Sequence, residues 1–162
     1  MISFNCIGAA LIICVGLFLF VYTIIKPVSI SSFADTFSIL NIPVITFKIK
    51  DSEYNFIVDT GSSSSHIQSE LAKKYGENYT GIDVSCTGAG SEINFSGACR
   101  IDLTKDKYVI PEVLFFSSPA LDASLLAISD KFNISIHGLL GGDFLDQHKF
   151  IINYCNQQIY KK

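Results

Sequence analysis

Phe56-Ile57-Val58-Asp59-Thr60-Gly61-Ser62-Ser63-Ser64-Ser65 is the stretch on which the reading of this chain turns. Three apolar residues read as the end of a buried strand, and Asp-Thr-Gly then turns the backbone sharply into a serine-rich loop. The turn leaves a carboxylate at the strand's end. An isolated surface Asp, with a pKa of about 3.9, is a poor base at neutral pH and holds no proton to donate there. Two carboxylates about 3 Å apart behave differently, because like charges at that distance cannot both ionise; one keeps its proton while the other accepts one. Asp-Thr-Gly occurs once in the chain. A working pair built on Asp59 therefore calls for two chains.

The residues around Asp59 suit that role. Gly61 permits a tight turn and brings its N–H toward the carboxylate. Thr60 offers a hydroxyl able to tie two facing loops together, and Ser62 offers a further donor to the carboxylate. Upstream, Val44–Lys50 is β-branched and partly alternating, Asp51-Ser52-Glu53 is a polar turn, and Tyr54–Val58 runs back as the second arm of a hairpin. Downstream, Ser69–Gly76 has the marks of a short helix: a Ser start, an early acid, late lysines and a closing glycine. Residues Val84–Phe95 form two strand-like arms around Gly88-Ala89-Gly90. Further strands are expected at Arg100–Leu103, Tyr108–Val109 and Val113–Phe116, with a loop and one helical turn over Leu121–Ser129. Lys149–Tyr154 and Gln158–Tyr160 read as a final strand pair. Many short strands with frequent turns predict an all-β barrel or sandwich with one or two short helices.

The remaining composition is uneven. Of 162 residues 49% are hydrophobic and mean hydropathy is +0.38, and the excess lies at the N-terminus. Ile2–Ile25 carries no charge and ends at Lys26-Pro27; as a helix it would cover roughly 36 Å, enough for a hydrocarbon layer of about 30 Å. One N-terminal transmembrane helix over 1–26 is the expectation, followed by a Ser-rich stalk over 27–42 and a folded domain over 43–162. A cleaved signal peptide is the competing reading, with Ser32-Phe33-Ala34 as a small-x-small site. Against it stand the length of the apolar run and the absence of any preceding Lys or Arg. Lys26 alone leaves the side of the membrane open. A net charge of −3 with no basic stripe argues against nucleic acid as a partner. Cys86, Cys99 and Cys155 are an odd number without metal-ligand spacing, and neither they nor His66, His137 and His148 make a metal site. His66 reads as a strand-face or surface histidine.

Phe56–Ser63 resembles the active-site motif of aspartic proteases, apolar-apolar-Asp-Thr-Gly-Ser/Ala-Ser. Further on, His137-Gly138-Leu139-Leu140-Gly141-Gly142-Asp143-Phe144-Leu145 is similar to the second hallmark of the retropepsin-like family, in which an apolar pair and a glycine precede a short helix and pass behind the catalytic loop. The two motifs stand in the family's order, and the likeness spans about 43–160. It implies a retropepsin-like closed barrel and a hydrolase of the aspartic endopeptidase kind, acting on polypeptides as a homodimer without a cofactor; the apolar segment over 1–26, outside the likeness, would hold it at the membrane. By position it implies that Asp59 is catalytic and pairs with its copy in a second chain, with Thr60, Gly61 and Ser62 supporting the loop. It further implies that Gly88, Ala89 and Gly90 form the tip of a flap over the substrate, and that Leu139, Leu140 and Gly141 support the site from behind. Asp143 is the tempting second acid, but the family pattern makes it structural. The flap lacks the aromatic residue of pepsin-like flaps. A pepsin-like enzyme with both acids in one chain is excluded by length and by the missing second motif. The alternative is a binding module that keeps this fold without turnover.

Overall fold

The computed structural model describes residues 27–88 and 91–161. The expected membrane helix over 1–26 lies outside them, and no helix among the described residues is long and apolar enough to cross a membrane.

Two antiparallel strands, β2 (Val44–Ile49) and β3 (Ser52–Val58), form the expected hairpin, with Val44 opposite Ile57 and Ile49 opposite Ser52. β3 continues in parallel beside β8 (Gly138–Leu140), which pairs antiparallel with the short β4 (His66–Ile67). β4 lies parallel to β7 (Tyr108–Ser117), and β7 pairs antiparallel with β6 (Ser91–Lys105). Lys48 of β2 meets Thr104 of β6, so the order β2-β3-β8-β4-β7-β6 closes on itself as a six-stranded barrel. β5 (Glu77–Gly88) extends beyond it as the outer arm of a long hairpin with β6. Closure gives each of the six barrel strands a neighbour on both sides, while β5 pairs with β6 alone.

The run Phe56-Ile57-Val58 is continuous rather than alternating because β3 is covered on both faces. Phe56 and Val58 enter the main core with Phe47, Phe115, Leu140 and Phe144, while Ile57 turns outward onto a second cluster with Val44, Leu125 and Ile136. Leu125 belongs to helix α3 (Pro119–Phe132). Only a loop with one helical turn was expected there. The observed 14-residue helix opens with Pro119 in its first turn and stops at Asn133, which takes the left-handed conformation at φ 54°. Leu125, with Ile128 and Phe132, seats this helix on the cluster that holds Ile57.

The expected stalk over 27–42 differs more. It holds β1 (Val28–Ser32) and α1 (Ala34–Leu40), and β1 pairs with β10 (Gln158–Lys161) in a separate sheet of order β1-β10-β9, where β9 is Phe150–Asn153. Ile30 and Phe33 reach the main core beside Ile159. A serine-rich segment thus folds because three of its apolar residues, Ile30, Phe33 and Leu40, are buried, Phe33 to 1% exposure. The final strand pair stands where it was expected. The remaining helices are α2 (Ser69–Tyr75) and α4 (Gly142–Gln147), so the domain is mostly β with four helices among the described residues, three of them short.

Candidate active site

β3 and β8 end side by side, and this places two loops together. Val58 is level with Leu140, and the next N–H, that of Asp59, donates to the Leu140 carbonyl at 3.0 Å. From this anchor the chain turns within three residues. Gly61 N–H donates to Asp59 Oδ1 at 2.9 Å, and Ser62 N–H donates to the Asp59 carbonyl at 3.2 Å. A Cβ on Gly61 would stand 3.2 Å from that same carboxylate oxygen, so the glycine gives the carboxylate room to approach the backbone. Asp59 is half-buried and Thr60 exposed. Ser62 departs from expectation: its hydroxyl donates to the Ser64 carbonyl at 2.8 Å, closing its own loop, and so does not reach the carboxylate.

The second loop packs behind the first. Gly142 N–H donates to the Ser62 carbonyl at 2.7 Å. A Cβ on Gly141 would meet the Ser64 carbonyl oxygen at 2.5 Å, a distance no side chain tolerates against backbone. Asp143 points back into this junction. Its Oδ2 accepts from Ser65 N–H at 3.0 Å, and its Oδ1 accepts from the Ser65 hydroxyl and from Phe144 N–H, each at 2.7 Å. Ser65 Oγ in turn accepts from Gly141 N–H at 3.0 Å. Both oxygens of Asp143 are therefore committed to holding the loops, in keeping with a structural acid.

Leu139 and Leu140 lie in β8 beside Ile57 and Val58, and Gly141 follows at the crossing of the loops, so all three lie behind the Asp59 turn. Gly88 closes β5 opposite Ser91, at the end of the hairpin; Ala89 and Gly90 lie outside the described residues. Ser65 escaped the sequence reading, and His66, expected on a strand face or at the surface, lies on strand β4 but is buried. Ser65, fully buried, is one of four consecutive serines, and nothing in that run marks which one turns inward. His66 is buried at 6% exposure, with its ring stacked on Phe95 at 5.1 Å. Burial holds its imidazole below the ordinary value, against the opposing pull of the Asp143 and Asp59 carboxylates.

Residues 45–144 match the family model described as aspartyl protease, a span running from β2 through the Asp59 turn and the loop behind it into α4. The chain belongs to the aspartyl protease family. Among solved structures, a retropepsin-like aspartic protease from Rickettsia conorii is similar over 84% of this chain and 90% of its own, with 18% identity and a TM-score of 0.50. EIAV protease, complexed with an inhibitor, is similar over 65% of this chain and 86% of its own, with 16% identity and a TM-score of 0.46. No curated protein matches the chain. The likeness to the first of these structures is one of fold, so this member of the aspartyl protease family carries a retropepsin-like fold.

Proposed function

We propose that this aspartyl protease-family chain is a membrane-anchored endopeptidase whose acid pair is Asp59 and its copy in a second, identical chain. The observation that carries the reading is the unequal use of the two candidate acids. Asp143 spends both oxygens on Ser65 and Phe144. Asp59 stands at the strand end with Oδ1 fixed by Gly61, and Oδ2 takes no hydrogen bond from the described residues of its own chain. One chain supplies one available carboxylate, and the chemistry needs two.

In the dimer the two carboxylates share one proton. The ionised member takes a proton from water as the water oxygen attacks the scissile carbonyl carbon, and the protonated member gives its proton to the carbonyl oxygen. Collapse of the tetrahedral intermediate breaks the C–N bond, the amine leaves with a proton, and the pair returns to one shared proton. Thr60, exposed at the turn, faces the two-fold axis. Gly61 holds the carboxylate, and Ser62 stiffens the loop. Leu139, Leu140 and Gly141 back it, and the hairpin ending at Gly88-Ala89-Gly90 covers an extended peptide that pairs with the cleft strands. Residues 1–26 form the anchor. Tethering confines the protomers to one plane and raises their effective concentration.

The full-length chain in detergent micelles, offered a mixed peptide library, tests the reading. Asp59→Asn should abolish cleavage and leave dimerisation unchanged by sedimentation, and wild-type activity per chain should fall as micelles are diluted with empty detergent. Equal cleavage by wild type and variant would overturn the enzymatic reading; full activity in a monomer would overturn the shared pair.

A further inference from the structure

Val28, Lys161 and Phe150 stand opposite one another at one end of the small sheet, where β1 begins, β10 ends and β9 begins. Strand register thus brings three distant segments to a single rim. Lys149 precedes Phe150, Lys162 follows Lys161, and Lys26 stands two residues before Val28. A residue spans at most about 3.6 Å, so connectivity alone keeps these lysines within reach of the rim. Four of the twelve basic residues converge there, in a chain whose net charge is −3. Lys149 pairs with Asp146 at 2.9 Å, and Lys161 has no carboxylate partner among the described residues.

Beside the rim lies an apolar surface. Phe150, Ile152 and Ile159 pack toward the main core, so alternation turns Ile151 and Tyr160 the other way. These two are register partners in the row next to the rim, and Ile151 is exposed, as is Val28 on the rim itself. Aliphatic and tyrosine side chains collared by lysines suit the headgroup layer of a bilayer. There the aliphatic groups reach the acyl boundary, tyrosine sits at headgroup level and ammonium groups meet phosphate.

The apolar run names the occupant. Ile2–Ile25 ends at Lys26-Pro27 and β1 starts at Val28, so Pro27 alone stands between Lys26 and the sheet. Resting on the anchored reading above, we propose that the rim and outer face of the small sheet dock on the lipid surface beside the anchor, with a preference for anionic headgroups. Lys26, Lys149, Lys161 and Lys162 supply the charge, and Val28, Ile151 and Tyr160 enter the interface. A second copy seated here would set lysine against lysine, and a nucleic acid would gain nothing from the aliphatic side chains. Docking also sets the height of the site. Gly142, behind the Asp59 turn, is joined to Lys149 by α4 and His148 alone, and α4 has six residues, about 9 Å of helix. The catalytic turn is thereby held close to the bilayer, within reach of membrane-proximal polypeptide.

The chain has no tryptophan, so Ile151→Trp introduces a single reporter. The full-length variant is placed in vesicles of brominated phosphatidylcholine, with or without phosphatidylserine. Quenching at position 151 should be at least about twofold greater with phosphatidylserine, and high salt should remove the excess by screening exposed charge. Val109→Trp, at an exposed residue of β7 outside the small sheet, should not respond to lipid charge. Replacing Lys149, Lys161 and Lys162 together by Gln should erase the excess at 151. Tyr160→Trp, at the register partner, repeats the measurement should the first variant misfold. Quenching that ignores lipid charge, or that is equal at 109 and 151, would overturn the proposal. So would an emission shift that follows chain concentration instead of lipid, which would give the face to a second copy. Resistance to alkaline extraction from the same vesicles reads the anchor separately. A chain that resists extraction without lipid-dependent quenching keeps the anchor and loses the docking surface; a chain that is extracted yet shows salt-sensitive quenching does the reverse.

Discussion

Ser65 joins the two loops of the site by giving its hydroxyl hydrogen to Asp143 at 2.7 Å while its oxygen accepts the Gly141 N–H at 3.0 Å. The serine is fully buried, so no water replaces either bond when one partner is lost. Ser65→Ala leaves the Gly141 N–H without its partner and should destabilise the fold by about 1–3 kcal/mol. Asp143→Ala strips three donors of their acceptor and should cost more. Because the two residues share one network, the double variant should lose less than the two single losses added together, by about 0.5–3 kcal/mol. Urea unfolding of the four proteins checks this; strict additivity would show that the junction is not one unit.

Gly141 makes a steric prediction. The Cβ of Gly141→Ala would stand 2.5 Å from one backbone oxygen and 3.0 Å from another, that of Ser62. Neither can retreat without pulling the Asp59 turn out of line. The variant should be destabilised by several kcal/mol and should lose cleavage even where it folds, since strain of this kind in a packed core costs about 1–3 kcal/mol or more. Gly81→Ala is the control, because its nearest contact is 3.8 Å away. It should match the wild type in both thermal unfolding and cleavage.

These loops mark where the sequence spoke plainly. Phe56–Gly61 and Gly138–Phe144 declare themselves because each needs a rare combination: apolar residues buried on two faces, then glycine where another backbone comes close. The residues between them were harder to read. Helix α3 carries one fully buried side chain, Leu125, so its apolar periodicity is faint, although Ser118-Pro119 and Asn133 bracket it with ordinary start and stop signals. Segment 27–42 looks like a linker because its strand finds its partner only in β10, at the far end of the chain. No local pattern announces such a pairing. The direction of the Ser62 hydroxyl and the inward turn of Ser65 are rotamer and register choices among four identical residues, and only the assembled fold decides them.

His66 carries a pH prediction whose sign follows from its burial. Desolvation lowers its folded-state pKa, and the Asp143 and Asp59 carboxylates only partly oppose this. The unfolded chain, near its ordinary value of about 6.5, then binds more protons than the folded one below that pH. Stability should therefore be complete above about pH 6.5 and decline as pH falls from there toward the lowered folded value. Burial lowers His137 and His148 as well, so the decline has three contributors. In His66→Val the slope of unfolding free energy against pH should become shallower in this window without vanishing. An unchanged slope would mean that His66 is protonated as readily in the folded chain as in the unfolded one.

Phe33 decides whether residues 27–42 are a tether or part of the protein's body. Its ring is 1% exposed and meets Phe37 and Tyr154 edge-on at 5.7 and 5.8 Å. Its N–H donates to the Gln157 carbonyl at 3.0 Å, pinning the segment to the turn before β10. Removing a buried phenyl ring from such a place costs about 3–5 kcal/mol through lost transfer energy and the cavity left behind. Phe33→Ala should lower unfolding free energy by that amount, whereas Ile39→Ala, at a residue 50% exposed on α1, should change it by less than about 0.5 kcal/mol. Denaturant midpoints at constant slope separate the two outcomes. Equal, small losses at both positions would return residues 27–42 to the status of a stalk and leave β10 with β9 as its only partner that matters for stability.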